Sequence, residues 1–333
     1  MSASANLTPY EPAWWLPGPH LPTLWAALAS PRPTSLVTTE RIILDDGDFL
    51  DLHWVGTDNG PLVVVLHGLE GSAKSTYAAR ILHRISESGW GGVLLHFRGC
   101  SGEPNNADRS YHSGETEDLR FVLSLLKVRY PARPIFAVGY SLGGNVLLKY
   151  LGESGRDSNI VVASAISVPF ELAAGANRLK KGLSRFYQRH LISSLHKKVR
   201  RKFADRPAPI ALDKLDEWAD FWSFDHHVTA PLHGFRSAQE YYSKSSCRQF
   251  LSAIAAQTLI IHSRDDPFLS IDAIPNPVEL SGTTHMIVTK TGGHVGFVVG
   301  ENPFSARFWI DDQIVAWFAY HAQEIGCLQN SSH

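Results

Sequence analysis

The chain has 333 residues, 44% of them hydrophobic and 19% charged, with a formal net charge of −1. That length and balance suit a soluble globular protein with a large buried core, either one large α/β domain carrying an insertion or two domains. A near-neutral chain has no global field to draw it to nucleic acid or membrane. Its three scattered cysteines, Cys100, Cys247 and Cys327, offer neither a disulfide framework nor a zinc site and fit a reducing compartment.

The N-terminus lacks the basic and apolar regions of a secretory signal, and prolines break its apolar runs. No stretch reaches the roughly 18 uninterrupted apolar residues that span a bilayer, so a cytoplasmic protein without an integral membrane segment is expected. Residues 1–35 read as a Pro- and Trp-rich arm in which Trp14, Trp15, Leu21, Leu24 and Trp25 pack across the main domain, in preference to forming an exposed apolar patch. Residues 38–44 and 49–55 read as strands joined by the turn Asp45-Asp46-Gly47-Asp48. Residues 62–66 form a continuous aliphatic run, the mark of a strand buried on both faces, and end in His67-Gly68-Leu69-Glu70-Gly71-Ser72. Helical spacing over 78–85 precedes a strand at 93–97. A helix over 115–128 places Leu119, Val122, Leu123 and Leu126 on one face, with Ser113 or Thr116 as its cap.

Residues 135–138 are the next buried strand, and 145–151 read as a helix start. Strands at 160–168, 258–262 and 286–289 and an amphipathic helix at 308–320 complete the chain. The alternation predicts an α/β fold with a mostly parallel eight-stranded sheet, helices on both faces and an antiparallel hairpin at its start. Between 170 and 250 it stops: the segment looks helical and carries no buried strand. It is read as a cap inserted between a first core part, 36–169, and a second, 251–333. Within it, residues 178–206 hold many Lys and Arg and one acid, Asp205. A solvated helix face is the preferred reading over a surface for anionic lipid or an anionic acyl substrate.

Between strand 135–138 and its following helix stands Gly139-Tyr140-Ser141-Leu142-Gly143, the G-x-S-x-G turn that lifts a serine hydroxyl above a sheet. A serine needs a base to take its proton, and the base needs an orienting acid. In this architecture the acid and then the histidine follow in loops past later strands. After strand 258–262 comes Ser263-Arg264-Asp265-Asp266-Pro267-Phe268, where Asp266 is assigned as the acid with Asp265 as runner-up. After strand 286–289 comes Thr291-Gly292-Gly293-His294-Val295-Gly296-Phe297, which assigns His294 as the base. Oxyanion donors are expected in the backbone N–H groups of Leu142, at the helix start, and Leu69, in the loop after strand 62–66. His67 is read as bracing that loop. Other chemistries do not fit. Residues 68–75 miss the phosphate-loop pattern because Ala73 stands where glycine is required, no G-x-G-x-x-G follows the first buried strand, and adjacent His226 and His227 make no metal pair. No cofactor and no metal are expected.

With these segments the chain resembles the α/β-hydrolases, and within them family 4, the YheT-like hydrolases. The likeness spans Trp15, His20, Leu21, Thr23 and Leu24, HGLEGS at 67–72, FRGCSGEPN at 97–105, YHSGETEDL at 111–119, GYSLGGN at 139–145, DDPF at 265–268 and GGHVGF at 292–297. Carried over, the family triad falls on Ser141, Asp266 and His294. The resemblance implies hydrolysis of small-molecule carboxylic esters with short- to medium-chain acyl groups. Acyl transfer or thioester cleavage on the same triad, and a non-catalytic binding protein on the same fold, are the alternatives. Some eukaryotic relatives carry an N-terminal membrane anchor, which the sequence reading does not find here; peripheral lipid contact would fall to the basic cap.

Overall fold

The computed structural model describes residues 5–31, 33 and 37–326; Cys327 lies outside them. The hairpin forms as the sequence predicts, from β1 (Thr38–Ile43) and β2 (Phe49–Gly56). The buried strands are β3 (Leu62–Leu66), β4 (Gly91–Leu95), β5 (Ile135–Tyr140), β6 (Ile160–Ile166) and β7 (Gln257–Ser263), with β8 (Thr284–Thr289) at the edge. They form one eight-stranded sheet in the order β1-β2-β4-β3-β5-β6-β7-β8. β1 and β2 pair antiparallel, as do β2 and β4, and every other pairing is parallel.

Two-sided burial explains why the central strands read as unbroken apolar runs. Alternate residues point to opposite faces. Val64 and Ala137 pack with α3 (Glu117–Arg129) and α4 (Leu142–Ser154), which contribute Leu119, Val122, Val146 and Leu147. Val63, Val65 and Phe136 pack with α2 (Thr76–Glu87) and the closing helix, through Ile81, Ile85, Ile314 and Phe318. That closing helix runs from Trp309 to Glu324. It starts one residue later than expected because Phe308 joins a small two-stranded sheet, Arg307–Phe308 against Val298–Val299. The loop after β4 is tied to the hairpin turn by a buried cluster. The Arg98 guanidinium lies 2.8 Å from Asp48 and 2.7 Å from Asp118, and Asn105 donates to Asp48.

Other expectations change as well. The arm contains a helix, α1 (His20–Leu28), and only part of its apolar set packs. Trp15 and Trp25 meet edge to face at 4.8 Å and lie against the cluster of Ala13, Val298 and Phe308, whereas Trp14, Leu21 and Leu24 are exposed. A 3.6-residue period lets one face of α1 meet the core and leaves the other in solvent. Neither Ser113 nor Thr116 caps α3. Thr116 Oγ1 donates to Glu153, and the Glu115 carboxylate accepts the Glu117 N–H at 3.0 Å.

Between β6 and β7 the chain is helical: α5 (Leu172–Leu179), α6 (Ser184–Lys202), α7 (Phe221–Phe224), a π turn at Asp225–Thr229, α8 (Ala230–Leu232) and α9 (Ala238–Ser245). Lys180, Lys181, Arg185 and Arg189 of the basic run are exposed, but Lys198 and Lys202 turn inward. Lys198 pairs with Glu70 at 2.6 Å, and Lys202 donates to Asn105 Oδ1. Burial holds the Lys202 ammonium down at about 7.

Candidate active site

β5 ends at Tyr140 and α4 begins at Leu142, leaving Ser141 alone at the corner with φ +51° and ψ −117°. A non-glycine residue held at positive φ carries strain of roughly 1–3 kcal/mol. The neighbouring backbone enforces it, since the Ser141 N–H donates to Ile166 O at 2.8 Å. The flanking glycines are required by close approach. A Cβ on Gly139 would stand 2.5 Å from Gly143 O, and one on Gly143 would stand 2.5 Å from Leu66 O and His67 O.

The loops after β7 and β8 bring two further side chains to this corner. Asp266 is 3% exposed. Its Oδ1 accepts the Phe268 N–H at 2.8 Å, and its Oδ2 stands 2.8 Å from His294 Nδ1. The other imidazole nitrogen, Nε2, is 2.9 Å from Ser141 Oγ. A carboxylate that accepts a hydrogen bond from Nδ1–H selects the tautomer with a bare Nε2, the form able to accept a proton from serine. The Phe268 ring stacks on the His294 imidazole at 4.2 Å, and Tyr187 of α6 stacks on Phe268 at 4.7 Å. Asp265 faces elsewhere: its Oδ1 accepts the Gly293 N–H at 3.0 Å, and burial raises its pKa.

The loop after β3 is held from three sides. His67 is fully buried, with Nδ1 2.7 Å from Gly68 O and Nε2 3.2 Å from the Phe97 N–H. Burial pushes its pKa down to about 3, so it stays neutral and bridges two strands' loops. The Gly68 N–H donates to the Tyr77 hydroxyl at 2.7 Å and the Glu70 N–H to the Tyr111 hydroxyl at 2.8 Å. Between them, the Leu69 N–H has no acceptor among the described residues. Leu142 is the first residue of α4, where an N–H has no acceptor within the helix. Tyr77, Tyr111 and Phe268 were not singled out by sequence reasoning. Tyr111 and Phe268 lie inside the segments that carry the family resemblance, which was the available signal; Tyr77 had none.

Above the corner lies a cavity of about 390 Å³, lined by Ser141, His294, Leu69 and Leu142 on the sheet side. Leu172, Leu179, Leu191, Leu195 and Val199 face it from the helical segment, and Thr23 and Ala26 from α1. One carboxyl group sits in its helical wall. Asp225, on the π turn, accepts from Thr229 Oγ1 at 2.6 Å and the Tyr242 hydroxyl at 2.7 Å. Burial, opposed by those two donors, raises its pKa to about 6. Among the described residues, no three His, Cys, Asp or Glu side chains gather as metal ligands, and no helix is long and apolar enough to cross a membrane.

Sheet order, corner serine and histidine loop are those of a hydrolase, and the chain belongs to the α/β-hydrolase fold family, whose model matches residues 61–301. Within the family it stands with the YheT-like hydrolases. It is 40% identical over 314 residues to a protein of Escherichia coli K12 named "Putative esterase YheT", covering 92% of each chain. Phospholipase ABHD3 of Mus musculus is 28% identical over 332 residues, covering 95% of this chain and 80% of that one. Among solved structures, an esterase of Pyrococcus furiosus superposes with a TM-score of 0.53 at 18% identity, over 88% of this chain and 96% of that one. The α/β hydrolase GrgF of a Penicillium species gives 0.56 at 16%, over 86% and 99%. At these identities the structural likeness concerns the fold.

Proposed function

We propose that this ester hydrolase works by two-step acyl transfer through Ser141, with His294 as general base and Asp266 as its orienting acid. His294 Nε2 takes the hydroxyl proton as Ser141 Oγ attacks the ester carbonyl. Asp266 accepts the hydrogen bond from His294 Nδ1–H, fixing the tautomer, and stabilises the imidazolium that forms. The N–H groups of Leu69 and Leu142 receive the oxyanion. The imidazolium then protonates the departing alkoxide, leaving an acyl-serine. Water, deprotonated by His294, releases the carboxylic acid and restores the hydroxyl.

The observation that carries this reading is the unbroken contact from Asp266 Oδ2 to His294 Nδ1, 2.8 Å, and from His294 Nε2 to Ser141 Oγ, 2.9 Å. The cavity supports the substrate class. Its volume of about 390 Å³ is near the lower end of the roughly 300–1,000 Å³ range of small-molecule sites, and its helical wall is largely apolar, with leucines beside Phe221 and Phe224. Short- to medium-chain acyl esters fit that wall, with residues 170–250 serving as a cap over the rim. The test is a chain-length series of p-nitrophenyl esters on the wild type and Ser141→Ala. The expected result is activity on short and medium chains and a loss of at least about 1,000-fold in the variant. A variant that keeps most of the wild-type rate overturns the assignment of the nucleophile.

A further inference from the structure

We propose that α1 is a working wall of the catalytic centre and that Thr23 is a positioning residue for His294. This rests on the serine-esterase reading above and extends it to a part of the chain outside the sheet. The loop that carries His294 is irregular: Gly293, Val295 and Phe297 have φ of +65°, +55° and +42°. A backbone in that conformation makes no strand ladder, so its buried N–H groups need other acceptors. Three successive ones are each met by a side-chain oxygen from a different element. Gly293 N–H donates to Asp265 Oδ1 at 3.0 Å, His294 N–H to Thr23 Oγ1 at 2.9 Å, and Val295 N–H to Ser167 Oγ at 3.0 Å. Asp265 and Ser167 belong to loops that follow sheet strands. Thr23 comes from α1, and it holds the residue that bears the imidazole.

The Thr23 hydroxyl is oriented for this role. Its own proton goes to Pro19 O at 2.7 Å, which leaves a lone pair for the His294 N–H, and the residue is buried. The contact is close along its length. A Cβ on Gly293 would run into the Thr23 hydroxyl and stand 2.5 Å from Pro19 O, and one on Gly296 would stand 2.9 Å from the Pro22 carbonyl carbon. α1 is itself fixed to the core. Thr76 donates to Ala26 O at 2.7 Å, and Arg80, held by Asp311 at 2.7 Å, donates to Ser30 Oγ at 2.6 Å. On its other side, His20 Nδ1 lies 3.1 Å from the Tyr187 hydroxyl of α6. The helix thus joins the core, the histidine loop and the covering segment at one point.

Removing the hydroxyl leaves the His294 N–H buried without an acceptor and frees the loop to shift. The imidazole must stay aligned with Ser141 and Asp266 at once, and sub-ångström errors there lower the rate of the chemical step. Thr23→Val keeps the side-chain volume and deletes the hydroxyl; Thr23→Ser keeps the hydroxyl. On a short p-nitrophenyl ester, Thr23→Val is expected to lose about tenfold in kcat with KM changed less than about threefold, and Thr23→Ser is expected to stay near wild type. Thr23→Ala takes the place of the valine variant if that one fails to fold. Ser141-dependent turnover that is unchanged in Thr23→Val overturns the proposal, as does an equal loss in Thr23→Ser, which would place the effect in the methyl group. Turnover that survives in Ser141→Ala overturns the serine-esterase reading and takes this proposal with it.

Discussion

The carboxyl rim of the sheet and the helical segment above it hold their residues in place by different means. At the rim, backbone sets position. Every residue of β3, β4 and β5 is buried, glycines stand where a Cβ would strike a carbonyl, and the histidine loop hangs from three directed N–H bonds. In the segment, side chains set position. α6 buries one stripe, from Ser184 through Gln188, Ile192, His196 and Val199 to Lys202, and its neighbouring leucines form a wall whose shape depends on which residues stand there. Backbone contacts of the first kind admit one arrangement, whereas apolar walls accept many side chains of similar volume. Under the proposed mechanism, the proton relay falls to the rim and the choice of acyl chain to the segment.

That contrast is open to a paired test. Gly143→Ala pushes a methyl group onto the carbonyls of Leu66 and His67, so it should lower turnover of all esters alike, by about 100-fold. Leu195→Trp narrows the cavity from the α6 side. It should leave acetate esters within about threefold of wild type and cut medium-chain esters by about tenfold or more, the scale of a few methylenes in an apolar pocket. Equal losses across chain lengths in Leu195→Trp would show that the two regions are not separable. A separate effect concerns stability. Asp225 has a folded-state pKa near 6, raised from 3.8 by burial. The folded state therefore keeps a proton that the unfolded chain releases, and stability falls as pH rises from about 4 to about 6. Wild type should lose roughly 2 kcal/mol across that window relative to Asp225→Asn. Parallel denaturant-unfolding curves for the two proteins at both pH values would contradict the assignment.

The sequence was most legible where burial is two-sided. The runs at 62–66 and 135–138 admit few readings other than central strands, and the order of serine, aspartate and histidine in the loops after strands 135–138, 258–262 and 286–289 is what assigns Ser141, Asp266 and His294 in the sequence. It was least legible where tertiary contact decides. α1 is masked by Pro19 and Pro22, residues that look like breakers, yet one sits at the N-cap and the other in the first turn, where no helical N–H is lost. Thr116 resembles a cap, but its hydroxyl finds Glu153 from another helix. The roles of Tyr77 and Tyr111 exist only because their hydroxyls reach across to the loop after β3, and no local pattern records that. The π turn at Asp225 breaks the helical period and carries no composition mark of its own.

The most direct measurement is covalent labelling of the folded protein with a fluorophosphonate, followed by peptide mapping. Rapid, single-site modification of Ser141, lost in His294→Ala, is the result this account predicts. A folded protein that takes no label at Ser141, or takes it equally well without His294, would contradict it.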